Sequence, residues 1–229
     1  MFSQSGHWPR LRAVRPRAIE LRLHWWETAV LSIAYYITHP QVQIDADIPV
    51  SEWGLSELGR ARANAMLDQP WVGSIRCIVP SGERKAIETA EVLAGRLNLT
   101  VEVRERMHEN DRSATDFLPP PEFEAVADQF FANPHVSVRG WERAIDARRR
   151  IVSEVEAVLG SGETGDIAFV GHGGVGTLLL LHLSGQEISR KADQPAGGGN
   201  YFAYDIGARH LIHGWLPIDS PAPRLEFGE

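Results

Sequence analysis

The sequence predicts a three-layer α/β/α sandwich around a mostly parallel central sheet. Three short apolar runs indicate buried strands, at residues 31–38, 74–80 and 166–170. Segments with the apolar spacing of helices stand between and after these runs. Because strands that alternate with helices are typical of a parallel sheet covered on both faces, the pattern favours this fold class.

The first two helices are predicted from their capping residues and apolar faces. Residues 56–67 begin at Ser56, a residue type that caps helix N-termini. Its expected buried face consists of Leu58, Ala61, Ala65 and Met66. Residues 82–97 form the second helix, and TVEV at 100–103 is predicted to be a short strand. The expected buried face of the second helix consists of Ala86, Ala90, Leu93 and Leu97.

Residues 107–140 are predicted to be a lid or binding loop. The segment is polar, contains LPPP at 118–121 and is too long for a plain connection. Its aromatic side chains are expected mostly to anchor the lid to the body; one that lines a pocket would favour apolar leaving groups. These side chains, on or beside the segment, are Phe117, Phe123, Phe130, Phe131 and Trp141.

The last third of the chain completes the alternation. Residues 141–159 form an amphipathic helix, and the stretch VGTLLLLHL at 175–183 is apolar all round, which indicates a buried helix. The runs NYFAYDI and RHLIHGW near the end of the chain suggest a closing hairpin or edge strands.

Composition excludes several classes of protein. The 229 residues carry a net charge of −7, and residues 1–30 hold five arginines against two glutamates, so the remainder is more acidic still. Such a body disfavours binding to a phosphate backbone. No apolar stretch is long enough to span a bilayer. Cys77 is the only cysteine, which rules out an intrachain disulfide and a thiolate metal site and fits a cytoplasmic protein.

One domain is expected to cover residues 31–229. Residues 1–30 match neither a core element nor a signal peptide, and we interpret them as a disordered extension or as the product of a start assigned too early.

Polar groups follow each of the three predicted strands. His39 ends the first strand, His172 follows the third, and Ser81, Arg84 and Lys85 follow the second. In open α/β sheets, ligands bind beyond the carboxyl ends of the strands. Two histidines at equivalent ends with a basic cluster between them therefore indicate a site for an anion.

The basic cluster has two interpretations. Arg84 and Lys85 lie in the first helical turn, where the helix dipole is already positive, so an anion such as phosphate would stabilise them. Alternatively, Glu83 neutralises one charge and the other side chain points to water.

The loop at 171–176 also fits G-x-G-x-x-G, the turn that binds dinucleotides. That turn requires an acidic residue about 20 positions later, at the end of the next strand, whereas the corresponding stretch here is loop-like. A histidine at position 172 would also have no role in a dinucleotide-binding turn. A serine hydrolase is disfavoured because the chain has no G-x-S-x-G.

Five motifs in order resemble those of the histidine phosphatase superfamily, which has the phosphoglycerate mutase-like fold. They are THP at 38–40, LSELGRARA at 55–63, SGERKAIETA at 81–90, MHEND at 107–111 and GHGG at 171–174. The resemblance runs from about residue 31 to 216.

The resemblance implies a phosphatase that hydrolyses phosphate monoesters through a phosphohistidine. It makes His39 the nucleophile, Glu109 the proton donor and His172 a further catalytic residue that binds phosphate oxygens. The phosphate-binding positions that it implies are Thr38, Ser81, Arg84, Lys85 and Gly173. It implies no cofactor and no metal ion, a small phosphorylated metabolite as substrate, and neither nucleic acid nor a membrane as partner; a homodimer is left as one option.

Three departures from the family pattern leave alternatives open. Thr38 stands where the family has arginine, and Lys85 where it has a second arginine, although Arg84 or Arg112 could compensate. Pro40 replaces a glycine and removes a backbone donor. A non-catalytic member that binds phosphorylated ligands is the first alternative. A phosphoglycerate mutase is the second, disfavoured because residues 107–140 have no basic cluster for a bisphosphate.

Overall fold

A five-stranded sheet lies at the centre of the computed structural model, which describes residues 32–162 and 164–220. Its strands are β1 (Ile33–Thr38), β2 (Ile75–Pro80), β3 (Asp166–Gly171), β4 (Asn200–Asp205) and β5 (Leu211–Pro217). The spatial order is β2-β3-β1-β4-β5. The three strands predicted from apolar runs are mutually parallel, and β4 and β5 form the antiparallel closing hairpin. The predicted fold class is confirmed.

Helices cover both faces of this sheet. They are α1 (Glu57–Ala65), α2 (Arg84–Leu97), α3 (Pro120–Ala132), α4 (Ala144–Leu159) and α5 (Gly173–Leu183). Side chains of α3, α4 and α5 share one apolar core with alternate residues of β1, such as Tyr36. The intervening residues, such as Ile37, belong to a second core with α2. The period-2 pattern of the strands thus builds three layers.

The predicted buried face of α1 is wrong for Leu58, Ala61 and Ala65, which are exposed, whereas Met66 is buried as predicted and the start at Ser56 is confirmed. Ser56 Oγ accepts a hydrogen bond from the Gly59 N–H at 3.0 Å. Leu58 is exposed, and Gly59 and Ala63 are buried instead. A Cβ on Gly59 would lie only 2.1 Å from the Gln41 carbonyl oxygen. The helix therefore packs on its small residues because the chain before it approaches too closely for large ones.

The predicted strand at 100–103 is not formed. The segment meets β2 at two separated bridges, where Glu102 N–H donates to Ile78 and Arg104 N–H to Pro80, both at 2.9 Å. Because no ladder of consecutive bonds connects these points, the segment borders the sheet without joining it.

The prediction that residues 107–140 form a loop missed α3. Pro120 and Pro121 occupy the first turn of this helix, where a missing N–H costs no helical hydrogen bond. Val126, Phe130 and Phe131 are buried against the body. Prolines that suggest a loop in the sequence thus mark the start of a helix.

Residues 1–30, expected to be an extension, lie outside the described residues. No helix among the described residues is long and apolar enough to cross a membrane.

Candidate active site

Strands β1, β2 and β3 end at the same edge of the sheet, as their parallel register requires. His39, Ser81 and His172 directly follow these three strands. The imidazole rings of His39 and His172 lie with their centroids 5.3 Å apart. The structure therefore brings together the two histidines that the sequence singles out.

His39 is held in one tautomer. Its Nδ1 lies 2.8 Å from the Pro40 carbonyl oxygen, which can only accept a hydrogen bond. Nδ1 therefore carries the proton, and Nε2 keeps a free lone pair. Burial, reinforced by the Lys85 charge, lowers the His39 pKa to about 4. The ring is thus uncharged at neutral pH.

His172 is completely buried between two oxygen partners. Its Nε2 lies 2.7 Å from Ser81 Oγ and 3.4 Å from Glu83 Oε1. A carboxylate oxygen cannot donate, so these contacts favour the tautomer with the proton on Nε2. The buried Nδ1 has no partner among the described residues. Burial lowers the His172 pKa to about 4, although Glu83 and Glu109 oppose this.

Glu83 and Lys85 form an ion pair at the start of α2. Lys85 is only 3% exposed, and its Nζ also donates to the Val50 carbonyl at 2.8 Å. Burial alone would raise the Glu83 pKa, but His172, Lys85 and the Glu109 N–H lower it below its ordinary value. Lys85 thus lies in the cluster with its charge already neutralised, as in the second interpretation of the basic residues.

Glu109 caps the N-terminus of α5. Its carboxylate accepts from Gly174 N–H at 3.0 Å and Val175 N–H at 2.9 Å. A Cβ on Gly174 would lie 2.7 Å from Glu109 Oε1, so the glycine permits this approach. The predicted proton donor therefore reaches the segment that follows His172.

Thr38 does not present a hydroxyl group to a ligand, which corrects its prediction as a phosphate-binding residue. The side chain is buried, and its Oγ1 donates to Gln194 Oε1 at 2.7 Å. The same oxygen accepts from the Asn200 N–H at 3.0 Å. Both hydrogen-bonding functions of the hydroxyl are used inside the protein.

Arg84 lies away from the two histidines, so the structure does not support it as a phosphate ligand. Its side chain is 56% exposed and pairs with Glu88 at 2.9 Å, one helical turn along α2. The adjacent residues of a helix point in different directions, and here the buried direction belongs to Lys85. Ser81 is buried against His172, and Gly173 is the first residue of α5.

An apolar pocket of about 210 Å³ contains a cation that has no acidic partner among the described residues. The Arg112 guanidinium lies over the Phe123 ring, 4.9 Å from its centroid, and forms no ion pair with a described residue. Its charge contributes to the low pKa of His39, which places it near that ring. The pocket is lined by Val50, Trp53, Arg112, Asp116, Phe117, Leu118, Pro120 and Phe123.

The aromatic side chains of the predicted lid fall into two groups, one buried in the body and one lining the pocket. Phe130, Phe131 and Trp141 are buried and anchor the segment. Phe117 and Phe123 line the pocket instead, and Phe117 contacts Trp53 with a centroid distance of 5.6 Å. Most of the aromatics anchor, as expected, while two lie where a ligand could contact them.

Sequence reasoning missed Gln194 and Asn200, which complete the surroundings of Thr38. Gln194 belongs to the stretch that the sequence shows only as a loop before β4, and Asn200 begins the run NYFAYDI that forms β4. No local pattern marks them, since their partner is more than 150 residues away in the chain. The sequence presents Glu83 only as a neutralising neighbour, although it also contacts His172.

The low histidine pKa values predict loss of stability in acid. The unfolded chain takes up protons on His39 and His172 below about pH 6.5, whereas the folded protein does so only near pH 4. The free energy of unfolding should therefore fall between these pH values, by about 3 kcal/mol for each histidine. Glu83 adds to the loss below its ordinary pKa of 4.5.

Urea unfolding at pH 7, 6, 5 and 4 measures this dependence. His39→Asn should reduce the slope, whereas His182→Asn, an exposed change on α5, should leave it intact. A free energy of unfolding that stays constant from pH 7 to pH 4.5 would contradict the assignment of two histidines that remain uncharged in the folded protein.

No group of three or more His, Cys, Asp or Glu side chains converges as a metal site within the described ranges. The absence of a metal requirement stays a prediction.

A comparison with family profiles identifies one family. The family profile of the histidine phosphatase superfamily (branch 1) matches residues 38–201, more than half of the chain. A comparison with curated protein sequences gives no match.

Similar solved structures include several phosphatases. Mycobacterial glucosyl-3-phosphoglycerate phosphatase, solved with inorganic phosphate, has a TM-score of 0.68 and 20% identity, with 82% of this chain and 99% of that chain covered. Phosphoserine phosphatase from Entamoeba histolytica, solved with 3-phosphoglyceric acid, has a TM-score of 0.65 and 16% identity over 80% and 96% of the two chains. YhfR from Bacillus stearothermophilus has a TM-score of 0.66 and 20% identity, with 80% of this chain and 94% of that chain covered. At these identities the likeness concerns the fold.

Proposed function

Because this chain belongs to the histidine phosphatase superfamily, we propose that it is a metal-independent phosphatase that forms a phosphohistidine on His39. The observation that carries the proposal is the protonation state of His39, which is uncharged with its proton on Nδ1. Its Nδ1 proton is held by the Pro40 carbonyl, so an uncharged Nε2 stands ready beside His172. Such an imidazole is a nucleophile suited to covalent catalysis.

The reaction would proceed in two displacements. His39 Nε2 attacks phosphorus in line with the ester oxygen; the N–P bond forms, the P–O bond breaks, and the alcohol leaves with a proton from Glu109. Water then gives a proton to Glu109 and attacks phosphorus; a new P–O bond forms, the N–P bond breaks, and inorganic phosphate leaves with the His39 lone pair restored. Arg112, whose charge acts on His39, would supply donors for the phosphate oxygens, and Lys85 would add the Nζ hydrogen that neither Glu83 nor Val50 accepts. His172 would join them once the charge of a bound phosphate protonates its unpartnered Nδ1.

The pocket beside Arg112 supports a preference for aromatic or apolar alcohols. Its volume of about 210 Å³ is enough for one aromatic ring, given that an apolar cavity of about 150 Å³ binds benzene. Phe117, Phe123 and Trp53 supply its aromatic walls. We propose that the alcohol part of the substrate lies there while its phosphate meets the histidines.

Turnover of p-nitrophenyl phosphate in EDTA tests the function. We expect hydrolysis across pH 5–8, a range over which His39 with a pKa of about 4 stays unprotonated. EDTA should not change the rate. Activity that disappears in EDTA and returns with a divalent cation would contradict metal independence, and no turnover above a His39→Ala background would remove the enzyme proposal.

A second candidate is a non-catalytic protein that binds phosphorylated ligands. It is favoured by the Glu83–Lys85 ion pair, because Glu83 already neutralises the cation that a phosphate would need. In that case the wild-type protein binds inorganic phosphate without turnover. The double variant Thr38→Arg/Gln194→Ala, which makes room for the missing arginine, would then gain activity.

A further inference from the structure

Gln194 reaches the edge of the sheet from the loop between α5 and β4. Its Oε1 accepts hydrogen bonds from Thr38 Oγ1 at 2.7 Å and from Asn200 Nδ2 at 3.0 Å. Both partners are buried. Because Thr38 and Asn200 donate to the same oxygen, the orientation of the carboxamide is fixed, and its nitrogen points away from them.

The nitrogen end of this carboxamide lies over the start of α5. A Cβ on Gly173 would be 2.2 Å from Gln194 Nε2, so the amide sits directly against the residue after His172. No described group accepts a hydrogen bond from Nε2. Gln194 therefore presents two N–H donors beside Gly173, the first residue of α5.

The same loop closes on the backbone of the nucleophile. Gly199 N–H donates to the His39 carbonyl at 2.9 Å, and Gly198, with a φ of 63°, comes so close that a Cβ would lie 2.4 Å from that oxygen. The position of Gln194 is thus fixed relative to His39 by contacts at both ends of the segment 194–199. A donor held in this way needs no rearrangement before it binds a ligand.

We propose that Gln194 binds the substrate phosphate, with its Nε2 donating to an equatorial oxygen next to His172. This inference rests on the proposed function for the identity of the ligand. The carboxamide supplies hydrogen-bond donors on the side of the site where Thr38 offers none, because the threonine hydroxyl is used to hold Gln194 itself. Thr38 and Asn200 are then positioning residues for this amide.

Two variants separate a phosphate contact from a packing role. Gln194→Ala removes the donors and the links to Thr38 and Asn200. Gln194→Glu has nearly the same shape and keeps an acceptor for both partners, but it replaces the free donors with a negative oxygen. A phosphate contact predicts that the glutamate is the more harmful change, whereas a packing role predicts that the alanine is.

The affinity for inorganic phosphate, measured by calorimetry and as a competitive inhibition constant, is the main readout. We expect roughly 10-fold to 100-fold weaker binding for Gln194→Ala, in line with loss of a hydrogen bond to a charged group, and a further tenfold for Gln194→Glu. Gln186→Glu, the same change at an exposed position of the same loop, is the matched control and should bind as wild type does.

The outcomes distinguish this inference from the proposed function. Phosphate binding by wild type that Gln194→Glu abolishes supports the contact even if wild type hydrolyses nothing, in which case only the proposed function fails. Hydrolysis with equal phosphate affinity in wild type and Gln194→Glu overturns the contact while the function stands. A wild-type protein that binds no phosphate overturns it as well.

Discussion

Replacing His39 with alanine should lower kcat/KM for p-nitrophenyl phosphate by roughly 1,000-fold to 1,000,000-fold, the range for enzymes that lose a nucleophile. The reason is chemical, since the His39 ring is partly exposed, whereas the free lone pair of His172 lies on its completely buried Nδ1. His172 carries its Nε2 proton toward Ser81 and Glu83. Lys85 is ion-paired. Steady-state assays with purified variants measure the loss.

Chemical rescue and a surface control sharpen this test. His39→Gly leaves space for added imidazole, which should restore part of the turnover by taking the phosphoryl group in place of the side chain. His182→Ala removes an exposed histidine from α5 and should leave kcat/KM unchanged. Activity of His39→Ala within tenfold of wild type, with folding intact, would show that the phosphoryl group is not transferred to His39.

The strand ends could be predicted because each depends on local sequence alone. An apolar run of five to eight residues marks a buried strand, and the rule for parallel sheets places the ends of such strands together. His39 and His172 therefore follow from the sequence without knowledge of the strand order. The order β2-β3-β1, which makes their rings neighbours, comes from the structure.

Features that depend on distant partners could not be predicted in this way. Thr38 is bonded to Gln194, and the buried face of α1 is set by the approach of Gln41 to Gly59. Neither contact leaves a periodic pattern, because each joins a helix or strand to a loop. The start of α3 escapes prediction for another reason: prolines favour loops and first helical turns alike, and only the packing of Phe130 and Phe131 decides between them.

Glu109 has two roles that one substitution can separate. In the structure its carboxylate accepts three backbone hydrogen bonds, from Asn110, Gly174 and Val175. As the proposed proton donor, it would also have to hand a proton to the departing alkoxide. A glutamine side chain at this position has a single carbonyl oxygen, so it could satisfy only part of the backbone donors and could not transfer a proton at all.

Glu109→Gln is therefore expected to lower kcat/KM by an amount that depends on the leaving group of the substrate. For an alkyl phosphate, whose alkoxide must be protonated as it departs, kcat/KM should fall about 100-fold to 10,000-fold. For p-nitrophenyl phosphate, whose phenolate leaves readily without a proton, the first step should lose less than about tenfold. The lost acceptor at the start of α5 should also lower the free energy of unfolding by about 1–3 kcal/mol. Assays with both substrates and a urea titration measure these effects.

Glu91→Gln, an exposed change on α2, serves as the matched control. It should change neither kcat/KM for the two substrates nor the free energy of unfolding. The ratio of the two losses decides the role of Glu109, because destabilisation of α5 displaces His172 and so weakens binding of every phosphate ester alike. Proton transfer, in contrast, affects only those esters whose alcohol needs it. Equal losses on the alkyl and the aryl substrate would mean that Glu109 acts only by capping α5 and holding His172 in place, and that the proton for the leaving group comes from elsewhere.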